Sequence, residues 1–148
     1  MVDASFAGRV YPPSEPYLVG REKLREFAAA VGATHPACFS LAEAQNWGYP
    51  DVVAAPTFAA VISQQAEAQY VADPDAQIDF SRVVHAAESI RHRRPIVAGD
   101  LLTAQLRVVS IRERANIATV TTEVELRSPE AELVATVTST LAVRGDAA

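Results

Sequence analysis

The fold is decided by the stretch Pro56-Thr57-Phe58-Ala59-Ala60-Val61-Ile62-Ser63-Gln64-Gln65-Ala66-Glu67-Ala68-Gln69-Tyr70. Proline suits the first turn of a helix, where its missing N–H needs no partner. Phe58, Val61 and Ile62 supply an apolar stripe, and small residues keep the helix narrow. These small residues are Ala55, Ala59, Ala60, Ala66 and Ala68. The stretch therefore predicts a helix from about Thr57 to Tyr70 that a sheet can wrap closely.

Two shorter helices are predicted before it. The first runs from Arg21 to Val31, between Gly20 at its N-cap and Gly32 just past its end. Its apolar residues recur at one-sided helical spacing, at Leu24, Phe27, Ala28 and Val31. The second opens at Ser40, with Glu43 three residues on as in a capping box, and ends at Gly48.

After the central helix the pattern changes. Asp73-Pro74-Asp75 ends the helical part, and from about residue 78 apolar and polar residues alternate as in strands. The alternating apolar sets are Ala104, Leu106 and Val108; Val120, Thr122, Val124 and Leu126; and Leu133, Ala135, Val137, Ser139 and Leu141. Breaks fall at Pro95 and Gly99-Asp100, at Glu113 to Asn116 and at Ser128-Pro129-Glu130. We expect an α+β fold in one domain, residues 1–148, with an antiparallel meander of four long strands.

A long antiparallel sheet has one face to bury and two edges to protect. One helix packed in the curve of the sheet covers the face. The unpaired N–H and C=O groups of an edge strand can pair with another chain, and a second subunit joined edge to edge satisfies them. We therefore expect an oligomer before any family is considered.

The ends and the composition limit the classes of function. Residues 1–16 are expected to form an extended lead-in rich in proline and aromatic residues, and this segment either crosses the domain surface or forms a first strand from about Tyr17 to Val19. The start of the chain lacks the charged and apolar regions of a signal peptide, so a cytoplasmic protein is expected. A net charge of −5 argues against a nucleic-acid partner. The single cysteine, Cys38, excludes an internal disulfide and suits a reducing compartment.

Three separated stretches resemble the hot-dog-fold family of (R)-specific enoyl-thioester hydratases and 3-hydroxyacyl dehydratases. Phe27 to Cys38 (FAAAVGATHPAC) is similar to the hydratase motif, in which a Phe-Ala start leads to Gly-Asp-x-Asn-Pro-x-His. Trp47-Gly48-Tyr49 with Val53 to Phe58 resembles the entry to the central helix, and Arg94 to Leu102 the family's RP-x-x-x-GD turn. The resemblance covers about residues 17–143 and implies one sheet wrapped round one helix.

One branch of the family is still more similar. Val19 to Phe27 resembles the N-terminal MaoC-like dehydratase domain, a branch that includes the non-catalytic subunits of the mycobacterial (3R)-hydroxyacyl-carrier-protein dehydratase. The resemblance implies a homologous catalytic subunit or a second copy as partner. It also implies an acyl thioester of coenzyme A or of acyl carrier protein as ligand, without a cofactor.

The chain departs from the motif where the chemistry is done. Hydration of an enoyl thioester needs one group to take a proton from water and one to deliver a proton to carbon. The resemblance assigns these roles to the motif's Asp and His. Here the Asp position is Ala33 and the His position is Cys38. A methyl group carries no transferable proton and a thiol is a poor substitute, so we predict no catalytic pair.

Other residues near the motif leave alternatives open. His35 occupies the motif's Asn position and is either a displaced base, beside Asp51 or a partner's carboxylate, or a loop residue that caps a helix. Cys38 is either a thiolate or, as free cysteines usually are, a small buried hydrophobe. Pro56, Thr57 and Phe58 are candidates for substrate binding, since free N–H groups at a helix N-terminus polarise a carbonyl. The alternative for Thr57 is a plain helix start.

The second half of the chain adds further candidates. His85 and His92 are seven residues apart on a predicted strand and should therefore point to opposite faces. Glu88 should share a face with His92, lining a tunnel or facing solvent. No His or Cys pair has metal-ligand spacing, so no metal is expected. The basic run Arg91-His92-Arg93-Arg94 either meets phosphates of coenzyme A or an acidic carrier protein, or is a solvated strand end.

Three functions from different classes fit these features. The first is a catalytically silent, substrate-shaping subunit of a heteromeric dehydratase. The second is an active homodimeric hydratase or thioesterase that uses His35. The third is a non-enzymatic protein that binds acyl thioesters.

Overall fold

The predicted central helix is present in the computed structural model, which describes residues 1–145. The three α-helices are α1 (Arg21–Ala30), α2 (Leu41–Asn46) and α3 (Ala59–Val71), and α3 is preceded by a 3₁₀ turn at Pro56–Phe58. The five strands are β1 (Tyr17–Leu18), β2 (Val83–His92), β3 (Leu101–Arg114), β4 (Ile117–Arg127) and β5 (Leu133–Arg144). The last three residues of the expected domain, 146–148, lie outside the described residues.

The predicted helix ends are confirmed with small shifts. Gly20 is the N-cap of α1, and Gly32 has a φ of +72° just beyond its end. At the start of α2, the Ser40 hydroxyl accepts a hydrogen bond from the Glu43 N–H at 3.3 Å. The helical part does not end at residue 75, because 3₁₀ turns at Pro74–Ala76 and Phe80–Arg82 precede β2.

The strands form one antiparallel sheet in the order β1-β3-β4-β5-β2. The predicted four-strand meander is wrong for β2, which pairs with β5 instead of β3. The reason lies in the connection after β2, which is held away from the sheet by another segment. The Ala54 N–H donates to the Ile96 carbonyl at 2.8 Å, and the Ala98 N–H donates to the Val52 carbonyl at 2.9 Å.

The core lies between α3 and the concave face of the sheet. The alternating residues predicted for β3, β4 and β5 are buried from Ala104 to Val108, from Val120 to Leu126 and from Ala135 to Leu141. Ile62, Ala66 and Tyr70 of α3 are fully buried against them. A long sheet curled round one helix is the hot-dog arrangement, so the expected α+β fold is confirmed.

The two edges of the sheet differ. The lead-in crosses the outer side of β3, where the Gly8 N–H donates to the Val108 carbonyl and the Ser14 N–H to the Ala104 carbonyl, both at 2.7 Å. β1 continues this cover. Among residues 1–145, no strand pairs with the outer side of β2. The edge exposed to another chain is therefore β2.

The direction of the β2 backbone groups follows from one hydrogen bond. The Arg93 N–H donates to the Val134 carbonyl at 2.8 Å, toward β5. Alternate residues of a strand direct their backbone groups to opposite sides. The N–H and C=O groups of Glu88, Ile90 and His92 therefore point to the free edge.

The prediction that His85 and His92 face opposite ways is wrong. The pairing of β2 with β5 shifts by one residue between His85 and Ala87, so Ala86 is an extra residue, as in a β-bulge. His85 lies opposite Leu141, and His92 lies opposite Ala135, both on the buried face of β5. In a regular strand, two residues seven apart lie on opposite faces of the sheet. The extra residue places His85 and His92 on the same face, so both rings lie on the helix side. Glu88 lies on this face too, as predicted, with its carboxylate 3.5 Å from the His85 ring.

Candidate functional site

A cavity of about 490 Å³ lies where the hydratase-like motif meets the end of β2. Its walls come from the turn after α1, the segment that enters α3, and the connection after β2. The lining residues are His35, Ala37, Cys38, Tyr49, Val53, Ala54, Pro56, His92, Arg93, Arg94, Pro95 and Ile96. A mainly apolar cavity of this size suits a small organic group.

The His35 ring acts as a helix cap. Its Nδ1 accepts a hydrogen bond from the Ala37 N–H at 3.2 Å, at the start of the 3₁₀ turn Pro36–Cys38. The ring also meets Trp47 edge-on, with centroids 4.8 Å apart. Because Nδ1 accepts, the neutral ring carries its proton on Nε2. The free nitrogen is thus a donor, which is the wrong form for a general base.

A partner's carboxylate beside His35 stays a prediction, whereas Asp51, the other carboxylate considered for that place, is bound by Arg21. Both of its carboxylate oxygens accept hydrogen bonds from the Arg21 guanidinium at 2.8 Å. This bond holds the pKa of the Asp51 carboxyl below its ordinary value of 3.8. The pair ties the start of α1 to the turn that leads into the cavity wall.

The Arg21–Asp51 pair gives a pH-dependent prediction. A carboxyl whose pKa is depressed by folding stabilises the folded chain above its ordinary pKa, and this contribution is lost as the pH falls through the lowered value. We expect Asp51→Asn to lower the Tm by about 2 °C at neutral pH. The difference should shrink as the pH falls from about 5 to about 2. Thermal unfolding followed by circular dichroism measures this, with Glu15→Gln, at an exposed carboxylate, as the control. A constant difference across the range would contradict the assignment.

The two vacant motif positions differ in their surroundings. Cys38 is 6% exposed and lines the cavity. Burial raises the pKa of its thiol, so the thiol is neither a ready base nor a ready nucleophile. Ala33 is half-buried and is not one of the residues that line the cavity, and its N–H donates to the Ala28 carbonyl at 2.8 Å. Neither side chain supplies an acid or a base there.

His92 lines the cavity. From the sequence, a position facing solvent is the preferred alternative. Its Nε2 lies 2.8 Å from the Pro56 carbonyl oxygen and therefore donates to it. Its Nδ1 is buried and has no hydrogen-bond partner within residues 1–145. His92 thereby links the end of β2 to the entry of α3. The register in which residues 87–92 pair with β5 turns this ring inward, and no local pattern in the sequence reveals that register.

The three candidate substrate-binding residues are placed differently. Pro56 is exposed and lines the cavity, and Thr57 is exposed at the start of the helical segment but not on the cavity wall. Phe58 is fully buried, edge-on to the rings of Tyr17 and Phe27. The side chain of Phe58 therefore belongs to the core, and Pro56 is the one that meets the cavity.

The basic run is only partly solvated. Arg94 donates two hydrogen bonds to the Asp100 carboxylate, at 2.8 and 2.9 Å, and one to Glu132 at 3.1 Å. Asp100 also accepts from the Val97 N–H at 2.9 Å. The segment that resembles the RP-x-x-x-GD turn is thus held by the ion pair between its Arg94 and its Asp100. Arg91 and Arg93 are exposed, and Arg93 lines the cavity.

The arrangement defines what the cavity can do. Of the described residues that line it, none is a carboxylate. The His35 Nδ1 is used in a helix cap, and the His92 Nδ1 is an unprotonated acceptor that is buried without a partner in residues 1–145. Within residues 1–145, no group of three or more His, Cys, Asp or Glu could hold a metal ion. No helix in that range has the length and apolarity to cross a membrane. The cavity can hold a small apolar group, but its lining lacks the carboxylate–imidazole pair of the motif.

Comparison with known proteins gives consistent matches over nearly the whole chain. A family model described as FAS1-like, dehydratase domain region matches residues 5–137. The UPF0336 protein Lxx02810 of Leifsonia xyli subsp. xyli is 46% identical over 145 residues, which are 98% of this chain and 97% of that protein. The UPF0336 protein of Clavibacter michiganensis subsp. michiganensis is 47% identical over 145 residues, with the same coverage.

A solved structure matches equally broadly. A chain of the C-terminally truncated HadBC (3R-hydroxyacyl-ACP dehydratase) complex from Mycobacterium tuberculosis superposes with a TM-score of 0.83 at 32% identity. The match covers 93% of this chain and 96% of that chain. The two chains therefore share one fold over nearly their whole lengths.

Proposed function

Because the chain belongs to the FAS1-like dehydratase family of MaoC-like hot-dog domains, we propose that it is the non-catalytic subunit of a (3R)-hydroxyacyl-thioester dehydratase. The observation that carries this proposal is the cavity at the motif. The cavity has a mainly apolar lining, yet it presents Cys38 where the motif has histidine, and Ala33 stands at the aspartate position of the sequence. The fold of a dehydratase is kept without its proton-transfer pair.

The free edge of β2 supports a partner. The lead-in closes the β3 edge, whereas β2 leaves its outer backbone groups unpaired in residues 1–145. Val84 and Phe80, at the start of this edge, are 63% and 72% exposed. Pairing with the β2 edge of a homologous subunit satisfies the backbone groups and covers apolar surface. The related HadBC dehydratase is itself a complex.

The partner supplies the motif Asp and His, and this chain supplies stability and part of the acyl channel. The ligand is an acyl thioester of coenzyme A or of acyl carrier protein. The exposed Arg91 and Arg93 lie at the end of β2, beside the cavity, where guanidinium groups bind phosphate or acidic side chains. The site of chemistry is then in the partner, with this subunit beside it.

The proposal predicts a large difference between the isolated and the paired chain. Loss of general acid–base groups lowers rates by about 10²–10⁴-fold. We expect the purified chain alone to dehydrate 3-hydroxyacyl thioesters at least about a hundredfold more slowly than its complex with a hot-dog subunit that retains the motif. The reverse reaction, hydration of trans-2-enoyl-coenzyme A, can be monitored by the loss of enoyl absorbance for the isolated chain and for the complex. A comparable rate for the isolated chain would refute the proposal.

A further inference from the structure

A groove of about 700 Å³ lies at the other end of β2 from the motif cavity. The second half of α3 forms one wall, and the start of β2 with the turn before it forms the other. Val71, Val83 and Leu141 make the groove largely apolar. Phe80 stands at the groove with 72% of its surface exposed, next to the free edge. The groove therefore adjoins the surface on which we place the partner.

Three polar residues also line the groove, the exposed Gln64 and His85 and the buried Glu67. Glu67 lies on α3 with only 8% of its surface exposed, and it lines the groove. The Ser139 hydroxyl, itself fully buried, donates to its Oε1 at 2.6 Å. A carboxyl group that opens into an apolar groove keeps its contact with water only while no apolar group covers it. Covering it with methylene groups costs free energy, because they offer no hydrogen bond in exchange.

The geometry of pairing places this groove next to the partner's motif. Two hot-dog sheets that join at β2 with their helices on the same face are related by a twofold axis normal to the sheet. Such an axis makes the two edge strands antiparallel. The start of β2 in one subunit then lies beside the end of β2 in the other. His92 and the motif cavity lie at that end, so the groove of each subunit faces the motif cavity of its partner.

We propose that the groove receives the distal part of the acyl chain whose thioester is held at the partner's motif, and that Glu67 sets the upper limit of acyl-chain length. The inference rests on the proposed function and adds to it a specificity residue in the silent subunit. Short acyl chains end before the carboxyl group. Longer alkyl chains must cover it, and so they react less efficiently.

The test is a chain-length profile of the complex with its catalytic partner. The probes are 3-hydroxybutyryl-, 3-hydroxyoctanoyl- and 3-hydroxypalmitoyl-coenzyme A. We expect Glu67→Leu to raise the ratio of kcat/KM for the palmitoyl substrate to kcat/KM for the butyryl substrate about tenfold. Glu67→Gln, which keeps the size and a hydrogen-bonding group, should raise it less. Gln65→Leu, an equivalent polar-to-leucine change at an exposed position of α3, should leave the profile as it is.

The structure indicates that Glu67→Leu folds. The substitution leaves the buried Ser139 hydroxyl without its hydrogen-bond acceptor. The fold already tolerates such a group, because the hydroxyl of Thr122, the residue opposite Ser139 on β4, is buried without a hydrogen-bond partner in the described residues. An unchanged profile for a folded Glu67→Leu complex would overturn the role of Glu67 and leave the proposed function standing. Failure of the unsubstituted complex to form, or its inactivity at every chain length, would overturn the proposed function and this inference together.

Discussion

Glu88→Pro is expected to abolish assembly with the catalytic partner while leaving the fold of the chain intact. The N–H of Glu88 points to the free edge of β2, as the hydrogen bond of Arg93 to Val134 on the opposite side indicates. Proline removes that donor and places a ring where the partner strand would lie. We expect the Kd of the complex to rise at least about a hundredfold, measured by analytical ultracentrifugation.

Two neighbouring substitutions separate the backbone from the side chain. Glu88→Ala keeps the N–H and should assemble normally. Ser89→Pro removes an N–H directed at β5, so it should lower the Tm of the chain itself. If Glu88→Pro paired as tightly as Glu88→Ala, the partner would not bind at this edge.

Restoring the motif is expected to give the silent subunit a working site. The triple substitution Ala33→Asp, His35→Asn and Cys38→His rebuilds the sequence that the resemblance assigns to active members. In a complex whose partner has lost its own motif Asp and His, we expect hydration of crotonyl-coenzyme A to rise at least about a hundredfold. The cavity already has the apolar lining and the helix entry that such a site uses.

The matched control carries Ala33→Asn with the same two other changes. It keeps nearly the same volume but cannot accept a proton at the aspartate position, so it should remain inactive. Because Cys38 is buried, the larger histidine costs about 1–3 kcal/mol of overpacking, and thermal unfolding must show that both triple variants fold. Equal activity in the two would contradict the assignment of Ala33 as the vacant acid–base position.

Much of the fold follows from local sequence patterns. The apolar stripe and the alanines of α3 predict that helix, and the glycines on either side of α1 predict its ends. The alternation of apolar and polar residues predicts β3, β4 and β5. The position of β2 could not be predicted in this way, because it depends on how the connection after it packs on residues 52–54. Pairing between strands that are distant in sequence leaves little local pattern.

The site was less predictable than the fold. The substitutions at Ala33 and Cys38 are visible in the sequence, and the resemblance gives them meaning. His92 faces the helix side because β2 pairs with β5 in a register that places it opposite Ala135, and Asp51 is bound by Arg21, thirty residues away in the sequence. Contacts of this kind are set by tertiary packing, which neither spacing nor residue type reveals.

If the partner holds the only proton-transfer pair of the complex, the turnover rate should respond very differently when each subunit is changed in turn. The account predicts that replacing the partner's motif Asp and His lowers kcat for 3-hydroxyacyl-coenzyme A dehydration at least about a hundredfold. It also predicts that His35→Ala in this chain changes kcat less than about twofold, because the Nδ1 of that ring is used in a helix cap. The opposite pattern, with activity lost on His35→Ala and kept without the partner's pair, would contradict it.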